Sequence, residues 1–210
     1  MTWQEFIALV VLATAMSFSP GPNTTLSAAL AANYGLNRAL FFVCAVPVGW
    51  GLLLTLCVFG LGALVLAVPL LAIAVKVIGV SYLLYLAFKL FNSGQTLTGS
   101  SLHSSANAGK LPITFYQGVA MQFVNIKAWM LALSIVSGWI AGRTNPAERF
   151  AIVLPVMLAF AFFSNLTYAA VGALLKDWLA GPNGSGLRLH WFNRAMALVL
   201  VATAFWMFTL

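Results

Sequence analysis

Apolar residues in this chain gather into runs long enough to cross a bilayer, and the only three acidic residues, Glu5, Glu148 and Asp177, lie at or beyond the edges of those runs. Crossing the hydrocarbon core takes roughly 20 apolar residues in a helix. A lone hydrophobic segment can satisfy its backbone there in no other way. The sequence places six such runs at about 5–32, 39–61, 68–91, 112–140, 149–175 and 191–210. The fold class expected is an all-α membrane protein with six transmembrane helices.

Composition agrees. The mean hydropathy is +1.00 and 6% of residues are charged, whereas soluble domains carry about a quarter. Six spans use up 210 residues, so residues 1–210 read as one transmembrane domain. The net charge of +7 comes from scattered Lys and Arg with no basic patch, so no nucleic-acid partner is expected. Cys44 and Cys57 lie thirteen residues apart on one expected helix, too far for a disulfide. No Lys or Arg precedes Arg38. A positively charged signal-peptide start is thus missing, and the first run is expected to be retained.

Residues 92–111 (NSGQTLTGSSLHSSANAGKL) form the one polar, Ser/Gly-rich stretch, a flexible linker between halves of about 1–91 and 112–210. Three crossings per half make the halves enter the membrane in opposite directions. Halves of shared fold then form an inverted repeat, the layout of many secondary transporters. The connections after runs one, three and five carry Arg38, Lys89, Lys110, Lys176, Arg188 and Arg194, against Arg143 and Arg149 after run four. Six against two puts the first set in the cytoplasm and both termini outside.

Ser19-Pro20-Gly21-Pro22-Asn23 sits deep in the first run. Each proline removes a backbone donor and crowds the preceding turn, so the helix is expected to open. Backbone freed at that depth persists only inside protein or beside a wet cavity. A half-helix starting near Asn23 would aim its positive end at the gap. A plain proline kink is the alternative. In the fourth run, Lys127 lies about 15 residues in, or roughly 22 Å along a helix. A lysine there costs about 2.5 to 3.5 kcal/mol and is a functional candidate, with snorkelling to the interface as the alternative. Gln122 and Asn125 share its helix and argue for a polar patch.

Other polar residues divide similarly. Asn165 either caps the cavity or joins two helices. Lys76 is expected to snorkel, and Asn193 with Arg194 to anchor at the interface. His103 and His190 have no metal-ligand spacing to any Cys or acid. No metal site, cofactor or nucleophile–base pair is expected. Gly49, Gly51, Gly60 and Gly62 permit close helix approach within the chain or in a homo-oligomer.

Ser19 to Asn23 in the first helix, Asn125-Ile126-Lys127-Ala128-Trp129 in the fourth, and six helices in a chain of this length resemble the LysE/RhtB family of amino-acid exporters. Gly35 to Leu40 (GLNRAL) and Lys76 to Phe91 are also similar to that family. Gln122 to Lys127 looks most like its cysteine/O-acetylserine exporter branch. The resemblance implies multi-pass insertion in the bacterial inner membrane and export of amino acids driven by protons. It departs at two places. The family usually reads Asn-Pro-Lys where this chain has Asn125-Ile126-Lys127. Many members carry an aspartate after a glycine in helix two, where this chain has Gly49-Trp50-Gly51.

The function expected is therefore not enzymatic. It is alternating-access export of small neutral amino acids or derivatives, either cysteine/O-acetylserine-like or threonine/homoserine/leucine-like. The expected substrate-binding residues are Pro20, Gly21, Pro22, Asn23, Gln122, Asn125, Lys127 and Asn165. Lys127 and the opened backbone would take the carboxylate, and the amides would take the ammonium and side chain. Protons are a candidate coupling ion, and the lipid bilayer is the obligatory partner. Export of another metabolite or an ion is the alternative, and a membrane thiol redox carrier a remote one.

Overall fold

A computed structural model describes residues 1–93, 113–182 and 185–209. The linker expected at 92–111 lies outside the described residues except for Asn92 and Ser93. The described residues contain helices and no strand. In chain order the helices are α1 (Trp3–Phe18), α2 (Pro22–Tyr34), α3 (Leu36–Val58), α4 (Leu61–Ala67) and α5 (Pro69–Asn92). They are followed by α6 (Phe115–Val124), α7 (Ile126–Ile135), a π-helical turn (Val136–Ile140), α8 (Pro146–Leu174), α9 (Lys176–Ala180) and α10 (Leu187–Thr209).

Four of these, α3, α5, α8 and α10, are long and apolar enough to cross a membrane unaided. The other two expected crossings are bent pairs. Helix α1 meets α2 at 51°, and α6 meets the α7 segment at 67°. Large apolar side chains such as Leu70, Phe88 and Phe205 stand exposed on the outside of the bundle. Polar Ser27, Gln122, Ser164, Asn165 and Asn193 are buried within it. That inversion of the soluble pattern suits lipid as the surrounding solvent.

Helix α2 is the centre of the molecule, with every residue from Thr24 to Ala32 buried. Its Ala, Ser and Thr side chains let neighbouring backbones come close. Gly172 of α8 lies directly on the Ala28 carbonyl, where any side chain would collide. Hydrogen bonds fix α2 along its length. Asn23 pairs with Gln122 at its start, Ser27 donates to Asn165 at 2.9 Å, and Asn33 donates to Asn193 at 2.7 Å near its end.

The packing crosses between halves. Helix α2 packs chiefly on α8 and α6 on α3, so each bent pair leans on the second crossing of the other half. Helices α3 and α8 also pack together, as do α5 and α10. Three of the four glycines expected at close approaches serve inside the chain. Gly49 faces Val119 of α6, Gly51 faces Leu158 of α8 and Gly62 faces Leu133 of α7.

Two expectations need correction. The second run ends at Val58 rather than near Leu61, because Gly60 adopts φ 101° and separates the short helix α4. Only a residue without Cβ takes that conformation cheaply. Asn193 is no interfacial anchor. It is fully buried and bonds Asn33 and Ser93, joining α10 to α2 and to the end of α5. Arg194 beside it stacks on Phe91 and Trp191, with centroid distances of 4.8 and 5.3 Å. Lys76 lies 5.5 Å from the ring centre of Phe208.

At one end of the bundle, Glu5 of α1 meets Arg149 of α8 at 3.2 Å and Arg143 at 3.6 Å. The Trp139 indole donates to the Glu5 carbonyl at 2.9 Å. The two basic residues that ran against the charge bias are thus both tied to the same carboxylate.

Candidate functional site

The helix opens between Phe18 and Pro22 as expected. Ser19 and Gly21 take extended backbone, and α2 restarts with Pro22 as its first residue, where a missing amide hydrogen does no harm. The fourth crossing opens without a proline. Asn125 sits at φ −88° and ψ 103° between α6 and α7, and its side-chain oxygen accepts from the Lys127 amide at 3.2 Å. Asparagine at a helix start makes this bond readily. Its side chain here replaces what a proline would enforce.

The two openings meet. Lys127 Nζ donates to the Ser19 hydroxyl at 2.7 Å and to the Ser19 carbonyl at 3.0 Å. The cation therefore closes the carbonyl end of α1, where a helix carries its negative pole. Gly21 provides the space, since a Cβ there would lie 3.2 Å from Lys127 Nζ. Asn23 and Gln122 form a reciprocal amide pair, at 2.9 and 3.1 Å, between the starting turn of α2 and α6. Each interrupted crossing is thus bonded to the other on both sides of its gap.

Freed carbonyls are met by protein donors. The Tyr168 hydroxyl donates to the Phe18 carbonyl, and the Trp129 indole to the Phe123 carbonyl, both at 2.8 Å. Of the freed amides, those of Gly21 and Lys127 donate to the Thr24 hydroxyl and the Asn125 side chain, and three others stay open. Among the described residues, no acceptor meets the backbone N–H of Asn23, Thr24 or Ile126. The side-chain NH2 of Asn125 likewise has no protein acceptor. An ammonium offers three N–H donors, and Lys127 uses two of them on Ser19.

Between the openings lies a cavity of about 60 Å³, room for a few water-sized groups. Ser19, Gly21, Pro22, Asn23, Thr24, Asn125 and Lys127 line its polar side. Ser164 and Asn165 of α8 add to that side, while Met16, Val46, Trp50, Leu131 and Met157 form apolar wall. The arrangement is rich in donors and has no carboxylate, so it suits an anionic group on a small molecule.

Six of the eight expected residues line this cavity, and two do not. Pro20 is exposed and points no contact into it. Gln122 is 0% exposed and spent on Asn23 and on the Gly118 carbonyl at 3.1 Å. Asn165 lines the cavity and also joins helices, accepting from Ser27 and donating to the Ala161 carbonyl. Sequence reasoning missed Trp50, Thr24 and Ser164 as lining residues. Thr24 and Ser164 adjoin Asn23 and Asn165, which was the available signal. Trp50 is an aromatic in an apolar helix, which marks it only as core.

Cys44 and Cys57 both stand on α3 as free thiols, one exposed and one buried. Among the described residues, no group of three or more His, Cys, Asp or Glu could hold a metal ion.

Comparison with known proteins agrees with the geometry. A cysteine/O-acetylserine efflux protein of Salmonella choleraesuis is 25% identical over 161 residues, 76% of this chain and 78% of the relative. Those of Escherichia coli O157:H7 and Escherichia coli O1:K1 / APEC are 24% and 26% identical, each covering 79% of this chain and 80% of the relative. No solved structure matches. The family model for LysE type translocators matches residues 14–209. With two opened crossings meeting at Lys127 and that match spanning nearly the whole sequence, the chain belongs to the LysE type translocator family.

Proposed function

We propose that this chain exports small neutral amino acids, or close derivatives of them, across the bacterial inner membrane. The observation that carries the reading is the meeting of Lys127 with the opened backbone at Ser19 around a cavity without carboxylates. The substrate carboxylate docks on the remaining N–H of Lys127, the Asn125 amide and the free amides of Asn23 and Thr24. The ammonium takes oxygens of Thr24, Ser164 and Asn165, away from Lys127. Gln122 acts at one remove, by holding Asn23. The names of the relatives, cysteine/O-acetylserine efflux proteins, support a small substrate.

Transport proceeds by alternating access between two inverted three-helix halves. The crossed packing of α2 on α8 and α6 on α3 supports that arrangement. Both termini lie in the periplasm. The Glu5, Arg143 and Arg149 cluster then closes the outer end.

Uptake into inverted membrane vesicles tests the reading. Labelled serine and cysteine accumulate, and lysine and arginine are excluded by Lys127. Lysine transported as fast as serine would refute the selectivity argument. Proteoliposome efflux with and without an imposed pH gradient separates proton coupling from uniport.

A further inference from the structure

Trp50 is 4% exposed, lines the cavity and has an indole N–H buried without any hydrogen-bond partner. Among the described residues, the other two buried side-chain nitrogens in that condition, on His190 and Arg194, do not line it. Native interiors rarely leave a buried donor unmet, and one that persists calls for an explanation. A ligand acceptor is one.

The position of Trp50 indicates which part of the ligand. The polar lining residues, Lys127, Asn125, Asn23 and Ser19, cluster at the two helix openings. Trp50 belongs instead to the apolar cluster that contains the lining residues Ala128, Leu131 and Met157, with Met16 packed against it. A zwitterion docked by its carboxylate at the openings extends its side chain along this apolar wall. Among the described residues, Trp50 carries the one unmet donor of that wall.

We propose that the Trp50 indole N–H reads the substrate side chain, selecting small amino acids that carry a hydrogen-bond acceptor there. An indole donates and cannot accept. A hydroxyl, an ester carbonyl or a thiol sulfur meets it, whereas a methyl or ethyl group leaves it buried and unmet. The inference rests on the reading of this cavity as the substrate site.

Binding to detergent-purified protein by calorimetry, using serine and O-acetylserine against alanine and 2-aminobutyrate, tests it. Trp50→Phe keeps an aromatic ring and removes the N–H together with the pyrrole part of the indole, so the readout is the ratio of affinities between ligands with and without an acceptor. In the variant the affinity for serine and O-acetylserine falls about tenfold relative to that for alanine and 2-aminobutyrate. Equal weakening for all four ligands, or no weakening for any, overturns the proposal.

In wild-type protein labelled with 15N, the Trp50 indole resonance is identified by its loss in Trp50→Phe. It shifts with serine and holds still with alanine; the same shift with both overturns the proposal. Lys127→Ala and Asn125→Ala serve as the separate check on the cavity. If both bind all four ligands normally, the site reading fails. If both lose binding while Trp50→Phe is unaltered, only the role of Trp50 fails.

Discussion

Lys127 of α7 reaches across to Ser19 at the end of α1, with its ammonium 2.7 Å from the hydroxyl and 3.0 Å from the carbonyl. One contact thereby joins the two interrupted crossings and neutralises the negative pole of a half-helix. It also explains how a lysine persists in the membrane with no acid nearby. Its hydrogen bonds go to backbone and hydroxyl, and its charge faces a helix end.

Lys127→Met removes charge and donors while keeping most of the apolar stem. Transport falls at least tenfold, and the change in KM or rate is measured in vesicles. Ser19→Ala removes one of the two bonds, worth about 0.5–1.5 kcal/mol. Substrate affinity then shifts by several-fold without loss of folded protein. Wild-type transport in Lys127→Met would remove the site.

The break in the fourth crossing depends on the side chain of Asn125. Asn125→Ala loses the cap and lowers stability by about 1 kcal/mol. Asn125→Ser keeps a capping oxygen but loses the cavity-facing amide, so stability holds and transport drops. Ile126→Pro should be tolerated, with unfolding midpoint and transport close to wild type. Ile126 is the first residue of α7 and its N–H has no partner. Asn125 already has the extended backbone that a following proline demands. Unfolding of Ile126→Pro protein would contradict this account of the break.

Much of this was legible from residue type and depth. Ser19 to Asn23 announced its own opening, because two prolines around a glycine leave a helix no continuous ladder. Lys127 stood out by the energetic cost of its charge. What could not be read was partnership. Gln122 and Asn23 satisfy each other, a pairing set by three-dimensional packing of residues 99 apart in sequence. Asn193 resembled an interfacial residue beside Arg194, yet it is buried because Asn33 and Ser93 satisfy it. The unmet state of the Trp50 indole likewise depends on what its neighbours lack.

Close backbone approach gives a sharper test of packing. Gly79 of α5 lies on the Val124 carbonyl, next to the break, and Gly172 lies on the Ala28 carbonyl. A Cβ at either position meets rigid backbone rather than a movable side chain. Gly79→Ala and Gly172→Ala should each cost about 1–3 kcal/mol or more, read as a lower unfolding midpoint in detergent. Gly138→Ala, where a Cβ meets nothing within 4 Å, should leave the midpoint in place.

At the bundle end, Glu5→Gln removes the partner of Arg149 and Arg143. The Arg149 side chain is 10% exposed, while its Glu5 partner is 25% exposed. Losing the carboxylate should lower the unfolding midpoint only modestly, because Arg149 keeps its bonds to the Thr144 and Trp139 carbonyls. Arg143 has a more exposed side chain, so Arg143→Gln should lower the midpoint less than Glu5→Gln does. Reversed magnitudes in thermal unfolding would show that Arg143 carries the contact.

The amide pair between Asn23 and Gln122 gives the last prediction. Gln122 is sealed from the cavity, so it acts on the substrate only through Asn23. Gln122→Leu leaves the Asn23 amide without its partner and, by freeing its rotation, weakens transport. Asn23→Leu removes the cavity-facing group itself and weakens it further. A double-mutant cycle should give a coupling of about 0.5–3 kcal/mol, because the second substitution deletes a group the first has already disarmed. Additive losses in transport would mean that Gln122 contributes by a route that bypasses Asn23, and the positioning role assigned to it would fall.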